Sequence, residues 1–199
     1  MAATFLLIRH AEHELLGRVL TGRMPGVALG ERGRRQAGLL ASRLAASGLT
    51  AVQSSPLERA MQTAAPIAAA SGLNCDPAEA LTEIDFGAWT GKSFTELTAD
   101  PRWRAWNAER GRAVTPGGES MLQVQSRILG HLKAMSTAEP AGRIALVSHG
   151  DVIKAAVLGI MGASLDAFAA IEIEPASITT LVLGDWGGKV VGLNERVGP

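Results

Sequence analysis

The chain has 199 residues, a length that favours one domain with a core of its own. Nineteen basic side chains balance nineteen acidic ones, and zero net charge argues against a nucleic-acid or membrane surface as the main partner. With 47% hydrophobic and 19% charged residues disorder is excluded, and the single cysteine excludes an intramolecular disulfide framework and a Cys-rich zinc module.

Thr4-Phe5-Leu6-Leu7-Ile8 is a continuous apolar run of strand length, which suits a strand buried on both faces of a parallel sheet. No basic region precedes it, so a secretory signal is not expected. Glu31 to Ser47 follows the helical period at Ala37, Leu40, Ala41, Leu44 and Ala45, and Gly48 supplies a stop. Ala51-Val52-Gln53-Ser54 is a short second strand. Pro56 then sits where a helix from Leu57 to Ser71 can begin, and Gly72 closes it. Ala60 to Cys75 is the longest uncharged run, but Gln62, Pro66 and Asn74 interrupt it, which excludes a transmembrane helix. A third short strand is expected near Leu73 to Asp76, with Cys75 as a small core hydrophobe.

Ser93 to Asn107 reads as one or two short helices interrupted before Pro101. The stretch from Pro101 to Arg112 carries four Arg and two Trp, a pattern of an amphipathic cover with Trp inward and Arg outward. Glu119 to Met135 is a longer helix, with Leu122, Gln125, Ile128 and Leu132 along one face. Arg143 to Ser148 is another buried strand, followed by Gly150 and a helix from Asp151 to Leu158. Ser177 to Leu183 and Lys189 to Leu193 are β-rich runs around the turn Asp185-Trp186-Gly187-Gly188. Strands alternating with helices predict a single three-layer α/β domain over residues 1–199. Its sheet should be mostly parallel with helices on both faces, ending in one or two antiparallel strands.

In such sheets ligands bind beyond the carboxyl ends of the strands. Arg9-His10 follows the first strand, Ser54-Ser55-Pro56-Leu57-Glu58-Arg59 the second, and Ser148-His149-Gly150 the strand at 143–148. Two His and two Arg are thus delivered to one rim. Two guanidiniums at about 4 Å repel by about 4 kcal/mol at an effective dielectric near 20. A phosphoryl dianion turns that cost into attraction through bidentate Arg–oxygen bonds. The helix N-terminus at Gly150 adds backbone N–H donors, and a neutral imidazole beside the pocket can attack phosphorus as a nucleophile. His10, Glu12 and His13 with His149 and Asp151 could also be read as a metal cluster. The paired Arg disfavour a divalent cation, so no metal or other cofactor is assigned. His13 and His131 read as ordinary histidines, His131 facing solvent.

Arg9-His10, Ser55-Pro56-Leu57-Glu58-Arg59-Ala60-Met61-Gln62-Thr63-Ala64, Leu81-Thr82-Glu83 through Trp89-Thr90-Gly91, Pro116-Gly117-Gly118-Glu119-Ser120 and Val147-Ser148-His149-Gly150 occur in this order. Together these five blocks resemble the histidine phosphatase superfamily, which includes the cofactor-dependent phosphoglycerate mutases and many small phosphatases. The resemblance implies that His10 is the phosphorylated nucleophile, that Arg9 and Arg59 hold the phosphoryl oxygens, that His149 completes the phosphate pocket and stabilises the transition state, and that Glu83 is the general acid and base. Asp85, two residues on, competes for the acid role. Two departures stand out. Ala11 replaces a common Gly, and Leu16 stands where relatives often carry a phosphate-touching Asn, which makes Thr21 and Gly22 the candidates for replacement contacts.

A relative of this kind carries its substrate-selecting lid between the Glu83 block and the Pro116 block, which offers a second reading of the Trp/Arg stretch. The expected activity is metal-independent hydrolysis of a small phosphorylated metabolite in the cytoplasm. The alternatives are a cofactor-dependent phosphoglycerate mutase and a non-catalytic phospho-ligand binding module on the same fold. The sequence leaves the oligomeric state open.

Overall fold

The computed structural model describes residues 1–196. In chain order the regular elements are β1 (Ala2–Arg9), α1 (Glu31–Leu44), β2 (Ala51–Ser54), α2 (Glu58–Ser71), β3 (Cys75–Pro77), α3 (Phe94–Ala99), α4 (Pro101–Ala108), α5 (Met121–Ala138), β4 (Arg143–Ser148), α6 (Gly150–Ile160), β5 (Ile178–Gly184) and β6 (Gly187–Glu195), with short 3₁₀ turns between some of them. The six strands form one sheet in the order β3-β2-β4-β1-β5-β6. The four strands from β3 to β1 pair in parallel, and β5 and β6 add an antiparallel edge.

The apolar run of β1 is buried because both faces of the sheet are covered. Phe5 and Leu7 join the layer built from α5 and α6, whereas Leu6 and Ile8 join the one built from α1 and α2. Strand β4 divides in the same way, with Ile144 and Leu146 on one face and Ala145 and Val147 on the other. Full burial of each such aliphatic or aromatic side chain is worth about 1.5–3 kcal/mol. The central pair β1–β4 therefore anchors both layers. This is the three-layer α/β arrangement expected from the sequence.

Four sequence expectations are corrected. The buried stripe of α5 is Met121, Val124, Ile128 and Leu132, and Leu122 is exposed. A capping box between Ser120 and Gln123 starts the helix at Met121, and Leu122 then lies about 100° round from the buried face. Helix α1 ends at Leu44, so Ala45 leaves the stripe and is exposed. His131 is half-buried rather than solvent-facing, its Nε2 lying 2.8 Å from Gln53 Oε1 on β2. Cys75 lies only partly buried at the margin of the α1/α2 layer.

One loop contact fixes the approach to the rim. The carbonyl of Asp85 accepts from the Glu119 N–H and from the Thr115 hydroxyl, which clamps the 83–87 segment onto the 115–119 segment. A Cβ on Gly118 would fall inside the contact radius of that carbonyl and of Thr115 Oγ1. Gly118→Ala is therefore expected to lose about 1–3 kcal/mol of stability, as overpacking does. Urea unfolding checks this, and a wild-type midpoint would show that the clamp is loose.

Candidate active site

Strand pairing brings the reactive groups together. Arg9 lies opposite Ser148 across β1 and β4, so the residues that follow, His10 and His149, emerge side by side with ring centroids 5.1 Å apart. Strand β2, on the other side of β4, ends at Ser54 and delivers Ser55, after which the first turn of α2 carries Arg59. Glu83 arrives on the loop after the turn at Glu79–Leu81, which Ser148 Oγ ties to the sheet through the Leu81 carbonyl at 2.7 Å. The five charged or ionisable groups picked out from the sequence, Arg9, His10, Arg59, Glu83 and His149, thus form one cluster.

The hydrogen bonds of His10 settle which nitrogen is available. Nδ1 lies 2.8 Å from the Ala11 carbonyl, an acceptor, so Nδ1 carries the proton. Nε2 therefore holds the lone pair, and it receives an N–H from Arg59 Nε at 3.3 Å. Burial, then the charges of Arg59 and Arg9, drive the His10 pKa well below its usual value, which keeps the ring neutral. His149 is fully buried. Its Nε2 lies 2.8 Å from Ser55 Oγ, and its Nδ1 faces Arg59 Nη2 at 3.4 Å and Glu83 Oε2 at 3.9 Å. Burial and the neighbouring His10, Arg59 and Arg9 likewise hold His149 neutral.

Both guanidiniums keep donor capacity in reserve. Arg59 Nη2 is spent on the Gly22 carbonyl at 2.7 Å and Arg9 Nη1 on the Ile173 carbonyl at 2.6 Å. Arg59 Nη1 and Arg9 Nε are buried without a hydrogen-bond partner among the described residues. Leaving buried charged donors unpaired costs several kcal/mol unless an anion joins them. A phosphoryl group fits that demand, having several acceptor oxygens and two negative charges.

Glu83 is buried, and its carboxyl is raised from the usual 4.5 to about 8, by burial first and by the charge of Asp151 second. The bond from Ile84 N–H and the charges of Arg59 and Arg9 oppose the rise. At neutral pH the group is therefore a protonated acid. The sign for stability follows. Between the unfolded value and about pH 8 the folded chain holds a proton that the unfolded chain releases, so this group destabilises the fold as pH rises across that window. The melting-temperature advantage of Glu83→Gln over wild type should grow from about pH 5 to about pH 8 and level off above. A gap that stays constant with pH would mean that Glu83 titrates normally. Asp85, the competing carboxylate, is spent on its own turn, with Oδ1 accepting from Gly87 N–H at 2.8 Å.

The other predicted contacts come out differently. Gly150 opens α6 beside the Arg9 side chain. Gly22 enters the cluster through its carbonyl, as the anchor of Arg59, and Thr21 is buried beside it. Sequence reasoning named His13, Asp151 and Arg110 but did not place them in this cluster. His13, read as ordinary, is buried with its ring 5.4 Å from that of His10 and its Nδ1 unpartnered among the described residues. Asp151 pairs with Arg110 at 3.0 Å at the edge of the cluster.

The Trp/Arg stretch follows the cover reading except at Arg110. Trp106 is fully buried, with Arg102, Arg104 and Arg112 exposed, whereas Arg110 turns inward over the Phe168 and Trp106 rings. The spacing of Asp151 immediately after His149-Gly150 was the only local signal for that pair.

The family model for the histidine phosphatase superfamily (branch 1) matches residues 5–196. The chain is 31% identical over 194 residues to phosphoserine phosphatase 1 of Hydrogenobacter thermophilus, covering 95% of this chain and 90% of that one. It is 31% identical over 177 residues to a probable phosphoglycerate mutase GpmB of Cronobacter sakazakii, covering 87% and 81%. At 34% identity it spans 54% of the length of longer mycobacterial relatives, one of them called a bifunctional protein. Among solved structures, a mycobacterial glucosyl-3-phosphoglycerate phosphatase in complex with VO3 superposes with a TM-score of 0.87 at 27% identity, covering 97% of this chain and 99% of that one.

Proposed function

The chain belongs to the histidine phosphatase superfamily, and on that premise we propose that it hydrolyses a small phosphomonoester through a phosphohistidine formed on His10. The observation that carries this reading is the contact of His10 Nδ1 with the Ala11 carbonyl, which assigns the proton to Nδ1 and leaves the Nε2 lone pair facing two arginines with spare donors. As the phosphoryl group enters, Arg59 Nε exchanges Nε2 for a phosphoryl oxygen. Arg9, His149 and the N–H groups at Gly150 take the remaining oxygens, and Thr21 and the Gly22 backbone are the candidates for a further contact. The new bond is Nε2–P and the broken one is P–O. The proton of Glu83 goes to the departing alkoxide. In the second half a water attacks phosphorus, the Glu83 carboxylate takes its proton, and the Nε2–P bond breaks to release phosphate and restore neutral His10.

The reading places this chemistry in one domain spanning 1–199, acting in the cytoplasm. Among the described residues no helix is long and apolar enough to cross a membrane. A panel of phosphorylated metabolites assayed for phosphate release tests the activity. Incubation with 3-phosphoglycerate and bisphosphoglycerate separates it from the mutase reading, since a hydrolase releases phosphate and a mutase yields 2-phosphoglycerate. Binding without turnover of any phosphomonoester would instead indicate a phospho-ligand module.

None of these steps calls on a metal ion. Activity should persist in excess EDTA, and vanadate should inhibit, because its five-coordinate form mimics phosphoryl transfer among Arg9, Arg59, His10 and His149. Loss of turnover on chelation with recovery on zinc or manganese would restore the metal reading of His10 and His13.

A further inference from the structure

His13 is buried beside the nucleophile, and no step above uses it. The chain around it is held by both helices of the α1/α2 layer. The Ala11 N–H donates to Thr63 Oγ1 on α2 at 3.0 Å, and the Glu12 N–H donates to Gln36 Oε1 on α1 at 3.0 Å. Gly33 on α1 comes so close that a Cβ there would lie 1.9 Å from the Glu12 carbonyl oxygen. The His13 carbonyl then accepts from the Leu16 N–H at 3.1 Å and starts the turn that follows. Clamped in this way, the loop sets the His13 ring 5.4 Å from that of His10, with the planes inclined by 34°.

Three buried nitrogens of the cluster have no hydrogen-bond partner among the described residues: Arg9 Nε, Arg59 Nη1 and His13 Nδ1. One anion can serve all three, provided that Nδ1 carries a proton. The ionisable groups that bear on the ring are His10 and Arg9 at the end of β1, Arg59 on α2, Arg32 on α1, and Glu12, Glu14 and Arg18 on its own loop. Glu12 is already engaged by Arg32 and the Gln36 amide, and Arg18 by the Glu14 carbonyl. Burial first, then the charges of Arg59 and Arg9, hold the His13 pKa at about 4, so the ring is neutral at pH 7. A dianion bound by both arginines reverses that field, because an opposite charge within about 4–6 Å favours the protonated ring. Glu12, Glu14, Arg18 and Arg32 line a cavity of about 360 Å³ bordering His13, which gives solvent protons a route to it.

We propose that His13 is a ligand of the phosphoryl group that takes up a proton as the dianion binds and donates from Nδ1 to one of its oxygens. The assignment deepens the phosphatase reading above and rests on it. The proton comes from solvent and returns there when phosphate leaves. The site thus gains a third cation only while it holds the group, and a neutral His13 then eases release of the product.

The test uses inorganic sulfate, a dianion that stays fully charged at every pH required. The chain has four histidines, so substitution assigns the His13 signals in imidazole ¹⁵N NMR. In saturating sulfate the His13 midpoint should rise from about 4 by at least about one pH unit. Between the two midpoints sulfate should bind wild type more tightly as pH falls, by up to about tenfold per pH unit for one linked proton. His13→Asn and His13→Leu should both lack this increment. Whatever His10 and His149 contribute remains in the variants, so the difference from wild type reads His13. At pH 7 His13→Leu should bind sulfate and vanadate at least about tenfold more weakly, the scale of a charged hydrogen bond. His13→Asn, whose amide nitrogen reaches about the place of Nδ1, should recover most of that loss. An unmoved His13 midpoint in saturating sulfate overturns the proposal on wild-type protein alone, whether or not His13→Leu folds. Wild-type affinity in His13→Leu overturns it as well. Turnover of 4-nitrophenyl phosphate with an unmoved His13 removes this proposal and spares the phosphatase reading. A raised midpoint in a chain that hydrolyses no phosphomonoester upholds His13 as an anion ligand and removes the phosphatase reading.

Discussion

His10→Ala should lower turnover of any phosphomonoester by about 10⁴-fold or more, since removing a nucleophile leaves only binding and charge stabilisation by the remaining groups. Wild-type enzyme quenched during turnover of a ³²P-labelled substrate should carry label that is acid-labile and base-stable, located on His10, and the variant should carry none. Arg9, Arg59 and His149 remain in the variant, so its affinity for phosphate or vanadate should fall far less than its turnover. Because Nε2 of His10 accepts from Arg59 Nε at 3.3 Å, the substitution also frees that donor, which favours retention of the anion. Substantial turnover by His10→Ala would sink the covalent mechanism, and label on His13 would transfer the nucleophile to its neighbour 5.4 Å away.

Glu83→Gln should slow phosphorylation of the enzyme by alkyl phosphates roughly 10²–10⁴-fold, the usual worth of a positioned acid. Departure of a nitrophenolate needs little protonation, so 4-nitrophenyl phosphate should feel the loss much less in that step. The comparison belongs in single-turnover experiments, because dephosphorylation needs the same group as a base whatever the leaving group was. In wild type the alkyl-ester reaction should decline above about pH 8, where the Glu83 proton is lost, and the decline should be absent from Glu83→Gln. Asp85→Asn serves as the control. Its carboxylate caps the Gly87 N–H, so it should cost stability and not leaving-group dependence. The reverse pattern would transfer the acid role to Asp85.

Arg9, His10 and His149 were legible in the sequence because each lies within two residues of the end of an apolar run, and a parallel sheet presents the carboxyl ends of its strands on one edge. The bounds of β4 coincide with the expected run, Arg143 to Ser148, because every residue between Ile144 and Val147 is buried whichever face it points to. What stayed hidden depends on chain segments folding back. Arg110 reads as one more basic residue of a Trp/Arg stretch until Asp151, forty-one positions on, supplies its partner. His13 lacks any periodic context, so only the turn after β1 reveals that it returns to His10. Leu122 misled for a different reason. Two apolar residues in succession, Met121 and Leu122, leave the phase of a helix ambiguous, and the Ser120–Gln123 cap resolves it.

The placement of β4 between β1 and β2 bears on when this enzyme becomes active during its synthesis. His10 leaves the ribosome well before β4, His149 and the α6 N-terminus, which follow it by more than a hundred residues. Until β4 inserts, β1 and β2 have no common neighbour in the sheet, and among the described residues His10 is held near Arg59 by their mutual bond, by the bond from the Ala11 N–H to Thr63 Oγ1 and by packing of β1 on α2. Loop-closure entropy opposes such distant pairings until the whole sheet can repay it. A chain without β4 therefore presents His10 without His149 and the α6 N-terminus beside it. Phosphate esters in the surrounding solution meet a working catalyst only once the central strand is in place.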